Sequence, residues 1–328
     1  MSHSAAQRYL ENALKLGILA LVGFGWYLVT IHIGLGWLVN LQAKWVIGGI
    51  YLLVTNVGIT ACVFLYVYLC TGRKTNNVNN LQIPDLSSLT DPYPCETHQG
   101  GIASCSRNDC GSAWKPPRSH HCSVCGVCRL DFDHHCPWLG NCVTIQRQKA
   151  FLSLLIFFTV TYSIAIAPVA DTLISHIDTA LWESYFDLAA QKSWWNWPWS
   201  WVLVSGPLGR YIVGAVLGFR IIASELMTLR DVLRGTTSYE SKKRSGRIQG
   251  APSGKYIAIP QILASGTDEA YVVVPVPNGE RLYDLGWKDN LRSLWSTPVF
   301  SKGTLLLYTW PKLNPVIVRS ALRQSRDI

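Results

Sequence analysis

The chain has 328 residues, 49% of them hydrophobic and only 15% charged, with fourteen tryptophans and a mean hydropathy of +0.17, which excludes an ordinary soluble domain. Its net charge of +9 could fit a nucleic-acid binder, but the bases cluster beside apolar segments, so anionic lipid headgroups are the plainer partner.

Residues 1–14 are short and polar. From Leu16 to Gly72 the sole charged residue is Lys44, and the runs on either side of it exceed the ~20 residues that cross a hydrocarbon core. Spans are expected near 15–36 and 46–69, the first being a retained anchor rather than a cleaved signal. The stretch Thr71–Gly101, rich in Asn, Ser, Thr and Pro, reads as a connector. A third span is expected near Ala150–Ala170, and a fourth between about 200 and 229, after an interfacial tryptophan belt at 194–201. That fourth span encloses Arg210, Arg220 or both; an arginine near a helix centre costs ~2.5–3.5 kcal/mol, which apolar neighbours can offset if it snorkels. After Glu240 comes a soluble tail with β-prone runs such as Tyr271–Val274.

Arg73, Lys74, Arg147 and Lys149 flank the segment between spans two and three, and Arg230, Arg234, Lys242, Lys243 and Arg244 follow the fourth. Bases beside spans mark the cytosolic side. The 171–199 loop, with Lys192 alone against Asp171, Asp178, Glu183 and Asp187, belongs outside. The expectation is an all-α polytopic membrane protein with a cytosolic N-terminus (1–14), helices 1 and 2 (15–70), a cytosolic cysteine-rich zinc domain (71–149), helices 3 and 4 (150–229) and a mixed cytosolic tail (230–328).

Between Cys105 and Cys142 lie seven cysteines and four histidines. A reducing cytosol favours metal over disulfides, and two closed tetrahedral zinc sites would use eight of these eleven groups. Cys122-x-x-Cys125 and Cys128 have zinc-knuckle spacing. Neighbouring side chains in extended chain point to opposite faces, so His121 and Cys122 can serve different ions. By the same rule His135 points one way, and His134 and Cys136 the other. His134 next to Cys136 can raise the thiolate fraction, and Asp133 can fix the imidazole tautomer. On spacing alone Cys136 is equally well a ligand or an inert thiol, and His134 a structural hydrogen-bond partner.

The stretches Lys115–Cys128, Asp131–Trp138 and Asn141–Val143 resemble the cysteine-rich domain of DHHC protein S-acyltransferases. Thr236-Thr237-Ser238-Tyr239-Glu240 is similar to that family's Thr-Thr-x-Glu motif, and Tyr283–Asn290 to its aromatic and asparagine C-terminal motif. The resemblance implies one structural zinc on Cys105, Cys110, His121 and Cys128, and a second on Cys122, Cys125, His135 and Cys142. It implies Cys136 as acyl-carrying nucleophile, His134 as its base and Asp133 orienting His134. Long-chain acyl-CoA, most simply palmitoyl-CoA, would be the donor, and cysteines of membrane-associated proteins the acceptors. The implied enzyme sits in the lipid bilayer, in an endomembrane or the plasma membrane, with a cytosolic active site.

Three departures stand out. Cys105-x4-Cys110 is wider than the usual Cys-x-x-Cys, leaving Cys95 or His98 as substitute ligands. Thr144 and Arg147 replace the usual Gly and Asn, and Cys70-Thr71-Gly72-Arg73 stands where an Asp-Pro-Gly motif is expected. His120 is left unassigned, and Cys70 is a possible juxtamembrane acylation site. The rival is a catalytically inactive zinc-stabilised membrane adaptor, which needs ligands but no free Cys–His pair. Nucleic acid is not an expected partner, because the closely spaced ligands leave no room for a recognition helix.

Overall fold

The computed structural model describes residues 3–71, 78, 86, 89–107, 110, 114–171, 174–175, 178–179, 207–246, 256–260, 271–277, 279–300 and 310–325. They fall into two compact units, one of residues 18–64 and 153–226, the other of residues 1–17, 65–152 and 227–328.

Among the described residues, three helical stretches are long and apolar enough to cross a membrane: 9–41, 45–70 and 145–169. Backbone polar groups find no water in a hydrocarbon layer, so a span has to satisfy them internally, which a helix does. The first combines α1 (His3–Tyr27) with a π-helical continuation (Leu28–Leu41); the others are α2 (Trp45–Cys70) and α3 (Ile145–Ile166) with a 3-10 turn, Ala167–Val169. The helix begins at His3, inside the segment read from sequence as a polar leader, because residues such as Ala5, Ala6, Leu10, Glu11 and Lys15 favour helix whatever the solvent. In the first unit, polar pairs fix the helices: the Tyr51 hydroxyl donates to the Ala165 carbonyl at 2.9 Å, Trp26 Nε1 donates to Asn56 Oδ1 at 2.8 Å, and Thr159 Oγ1 donates to Glu225 Oε2 at 3.0 Å.

A further helix, α4 (Pro207–Leu233), covers most of the expected fourth span. Its sequence carries Arg210, Arg220, Glu225, Arg230 and Asp231. The tryptophan cluster at 194–201 and most of the 172–206 loop lie outside the described residues.

The other unit is built of short pieces. β1 (Tyr93–Cys95), β6 (Tyr256–Pro260) and β7 (Tyr271–Pro275) form an antiparallel sheet in the order β1-β6-β7. Its face buries Ile257, Ile259, Val272 and Val274 against Leu282, Tyr283 and the Ile317 and Ala321 side of a C-terminal helix. Between β1 and β6 in sequence lie two hairpins, β2 (His120–Cys122) with β3 (Val127–Arg129), and β4 (Phe132–Cys136) with β5 (Asn141–Thr144). Three short helices complete the unit: α5 (Ser238–Arg244), α6 (Trp287–Ser296) and α7 (Pro315–Gln324). Two of the starts have a side-chain cap. Thr237 and Glu240 form a reciprocal capping box on α5, and Asn314 caps α7 with Pro315 in the first turn.

The end of α2 is closed by the first turn of α3. Arg147 Nη2 donates to the Tyr68 and Thr71 carbonyls at 2.7 and 2.9 Å, Nη1 donates to the Leu69 carbonyl at 3.3 Å, and the guanidinium lies over the Tyr68 ring. Carbonyls at a helix C-terminus have no intrahelical donor, so this arginine supplies what a solvent-exposed end takes from water. Replacing Arg147 by Ala removes three charge-assisted hydrogen bonds and the cation over Tyr68, leaving Asn141 to hold the Leu69 and Thr71 carbonyls, at a cost of about 2–3 kcal/mol. The expected outcome is a fall of about 5 °C or more in the melting temperature of the purified protein; an unchanged melt contradicts this role.

Candidate active site

The β2–β3 hairpin turns through Gly126, whose φ of 67° sits in the left-handed region and whose N–H donates to the Cys122 carbonyl at 2.8 Å. This tight turn brings Cys122 and Cys125 close together. His121 stands opposite Cys128 in the ladder, and His135 stands opposite Cys142 in the β4–β5 hairpin.

Two groups of four result: Cys105, Cys110, His121 and Cys128; and Cys122, Cys125, His135 and Cys142, the donor atoms of each lying within 4.8 Å of one another. In the second, His135 Nδ1 is 3.5 Å from Cys122 Sγ and 3.6 Å from those of Cys125 and Cys142, with the Cys125 and Cys142 sulfurs 3.5 Å apart. In the first, His121 Nδ1 is 3.2, 3.8 and 3.9 Å from Cys110, Cys105 and Cys128, and the Cys110 and Cys128 sulfurs are 3.7 Å apart. A tetrahedron with metal–sulfur bonds of ~2.3 Å and metal–nitrogen bonds of ~2.0 Å has edges of about 3.5–3.8 Å, so both groups fit a tetrahedral ion with three thiolates and one imidazole. Cys95 instead lies in β1, buried in the sheet, and neither it nor His98 belongs to either group.

The proton affinities carry the same message. Hydrogen bonds from Cys122 and Cys142 push the Cys125 thiol far down, while hydrogen bonds with Cys122 and Cys125 push Cys142 far up. Burial and the neighbouring thiols likewise hold Cys128 up. Three thiols this close cannot all ionise unless a cation stands among them.

His135 Nε2 is 2.9 Å from Glu11 Oε1, and Glu11 is almost fully buried. The carboxylate accepts the Nε2 proton, which leaves the Nδ1 lone pair aimed at the three sulfurs. Burial works against protonation of His135, but Cys122, Cys125 and Glu11 outweigh it and raise its pKa to about 10. Sequence reasoning missed Glu11: it precedes His135 by 124 residues, and a single acid in a polar leader carries no local signal.

Outside both groups stand Asp133, His134 and Cys136. The β4–β5 register shifts between Phe132 and His134, and such an irregularity re-aims the side chain it contains, here the fully buried Asp133. Asp133 Oδ2 lies 2.8 Å from His134 Nδ1. Asp133 Oδ1 accepts the Ser238 N–H at 2.6 Å, and Ser238 Oγ donates to Oδ2 at 3.3 Å. With Nδ1 engaged, Nε2 is the His134 atom left for Cys136, with whose thiol the imidazole is hydrogen-bonded. Burial disfavours the imidazolium, yet Asp133 and Cys136 overcome that and raise the His134 pKa to about 9. The ring also meets Phe151 edge-on, centroids 5.4 Å apart. His120 is elsewhere: it stacks on Tyr239 at 3.9 Å, and burial followed by Lys115 and Lys243 lowers its pKa to about 4.

The capped turn that delivers Ser238 is itself anchored. Arg118 pairs with both Glu240 oxygens at 3.0 and 2.9 Å and donates to the Gly235 carbonyl at 3.0 Å. Gly235 has φ 60°, and a Cβ there would meet the Tyr283 carbonyl at 2.6 Å, so both its conformation and its surroundings require glycine.

Removing the carboxylate partner of a metal-binding imidazole typically weakens metal affinity 10–100-fold. Glu11→Ala is expected to lose metal from the Cys122 group to a chelator at correspondingly lower concentration, with Glu11→Gln in between. Retention equal to wild type contradicts the role of Glu11.

Residues 105–245 match the DHHC palmitoyltransferase family model. Over 290 residues, 83% of this chain and 86% of the relative, the chain is 28% identical to a probable protein S-acyltransferase 13 of Arabidopsis thaliana. It is 56% identical over 55 residues to the palmitoyltransferase PFA3 of Candida glabrata, an alignment spanning 17% of this chain and 16% of that protein. With the palmitoyltransferase ZDHHC15 of Rattus norvegicus it shares 43% identity over 76 residues, 23% of this chain and 21% of that one. Two metal-shaped cysteine and histidine groups and a separate Asp–His–Cys line thus lie inside the one segment, 105–245, that matches the DHHC palmitoyltransferase domain.

Proposed function

We propose that this protein is a protein-cysteine S-acyltransferase in which Cys136 carries a long-chain acyl group, palmitoyl in the simplest case, from acyl-CoA to cysteines of membrane-associated proteins. The observation that carries the reading is the Asp133–His134–Cys136 line standing outside both four-ligand groups. An adaptor needs the ligands and has no use for a buried carboxylate holding an imidazole against a spare thiol.

His134 takes the Cys136 proton, and the thiolate sulfur attacks the carbonyl carbon of the acyl-CoA thioester. The bond to the CoA sulfur breaks, and CoA leaves as a thiolate that receives a proton. In the second half a substrate cysteine gives its proton to His134 and attacks the acyl-Cys136 carbonyl, which returns Cys136 as the leaving group. Asp133 keeps Nδ1 occupied throughout, so protons move at Nε2. Cys105, Cys110, His121 and Cys128, and Cys122, Cys125, His135 and Cys142, would hold two structural zinc ions, which when bound fix the hairpins. Nothing in the reaction needs an open coordination position.

The layout we propose keeps four spans, with α4 as the fourth, the segments 1–14, 71–149 and 230–328 in the cytosol and residues 15–70 and 150–229 carrying the membrane helices. Bases beside the spans support that orientation. About fifteen methylenes favour lipid over water by a gross ~12 kcal/mol, so a donor and acceptors already at the bilayer suit a nucleophile near the ends of α2 and α3.

Cys136→Ser is expected to abolish acyl-enzyme formation and transfer while metal content stays near that of wild type. Loss of one equivalent of metal with transfer retained places Cys136 among the ligands and overturns the reading. His134→Ala should keep its metal and slow single-turnover CoA release by about 100-fold or more at neutral pH, with partial rescue as pH rises and solvent makes the thiolate. Equal rates at neutral pH eliminate the base.

The raised His134 pKa also has a stability sign. The folded value of about 9 exceeds the ordinary 6.5, so the stabilisation is complete below pH 6.5 and fades as pH rises through 9, amounting to about 3 kcal/mol at most. The melting-temperature gap between wild type and Asp133→Asn is therefore expected to be widest below pH 6.5 and to narrow above 9; a gap independent of pH contradicts the charged pair.

A further inference from the structure

A second thiol stands beside the acyl carrier. Cys70, half-buried, is the last residue of α2. Two sets of contacts tie it to the β4–β5 turn that bears Cys136. Asn141, the cross-strand partner of Cys136, donates its side-chain N–H groups to the Leu69 and Thr71 carbonyls at 2.9 Å each, gripping the residues on either side of Cys70. Tyr66, one helical turn before Cys70 and so on its face of the helix, donates its hydroxyl to the Trp138 carbonyl at 3.0 Å. The Tyr66 and Cys70 side chains hydrogen-bond one another, and both lie within electrostatic range of the Cys136 sulfur. Neither thiol is disulfide-bonded, and Cys70 belongs to neither four-ligand group.

Building on Cys136 as the acyl carrier, we propose that Cys70 is an internal acceptor: the acyl group passes from Cys136 Sγ to Cys70 Sγ, so that the enzyme lipidates the end of its own second membrane helix. The chemistry is a thioester exchange and needs no other reactant. Cys70 gives its proton to His134, its sulfur attacks the carbonyl carbon of acyl-Cys136, the Cys136–carbonyl bond breaks, and Cys136 leaves as a thiolate that takes that proton back from His134. One thioester forms as one is lost. An acyl chain on Cys70 starts at the end of a membrane helix and runs back along it, its favourable direction. Cys136 is then free for another acyl-CoA, so the chain can hold two acyl groups.

The test uses the full-length protein in lipid nanodiscs with palmitoyl-CoA, followed by intact mass and peptide mapping over time, with and without neutral hydroxylamine. Expected are one labile adduct on Cys136 and then a second on Cys70 in wild type, a single adduct on Cys136 in Cys70→Ser, and no adduct on Cys70 in Cys136→Ser. A wild-type chain that stops at one adduct on Cys136, with Cys70 still open to alkylation, overturns the relay and leaves the Cys136 reading standing. Acylation of Cys70 at the wild-type rate in Cys136→Ser also overturns it, since the acyl group then comes directly from CoA. Absence of any adduct from wild-type Cys136 overturns both.

Discussion

A carboxylate with no exposed surface has to be met by donors, and Asp133 is such a group. Its partners come from two places in the sequence, one adjacent and one distant: the imidazole next to it and the first turn of α5, 105 residues later. The turn has to be where it is for the charge to be tolerated. The capping box that shapes α5, the Arg118–Glu240 pair that holds it and the glycine at 235 that permits its approach all serve that need. A charge-assisted hydrogen bond is about twice as strong as a neutral one, so this small region can organise a segment otherwise poor in regular structure.

The thiol groups obey a related constraint with the sign reversed. Asp133 is an anion balanced by protein donors; the two cysteine groups concentrate negative charge without enough donors to balance it. A closed tetrahedral cation resolves this and at the same time links pieces of chain that bury little apolar surface. Strands of three to five residues do not hold a catalytic geometry on their own. A cation for the frame and protein donors for the carboxylate would therefore divide the work, with Cys136 outside both groups of four.

How much of this the sequence discloses depends on range. The ligand spacing, the alternation that separates His135 from His134 and Cys136, and the apolar runs of α2 and α3 are local patterns, and the structure brings the same eight ligand residues into two groups. Glu11, Ser238 and the grip of Asn141 and Arg147 on the end of α2 act across 70 residues or more, where one sequence offers no periodicity to follow. Arg147, read as a departure from a motif, turns out to satisfy helix-end carbonyls. The segment after 295, read only as part of the mixed tail, contains α7, whose Ile317 and Ala321 fill the sheet core; ten residues with two buried positions give too short a pattern to recognise beforehand. Charges along α4 keep the fourth span ambiguous in sequence.

The pairing of β1 with β6 bears on how the protein is made. Tyr93 lies beside Ala258, so more than 160 residues separate two neighbours in one small sheet. A ribosome that has released β1 has yet to synthesise α3, α4 and α5, and β6 follows all of them. The sheet cannot close, and Asp133 cannot meet Ser238, until the intervening helices have been delivered. Closing so long a loop is slow but only modestly costly, since loop entropy grows with the logarithm of length. The part that joins Asp133 to Ser238 is thus the last part of the chain to become complete, and a protein stalled partway through synthesis carries both cysteine and histidine groups but lacks the contact that holds Asp133.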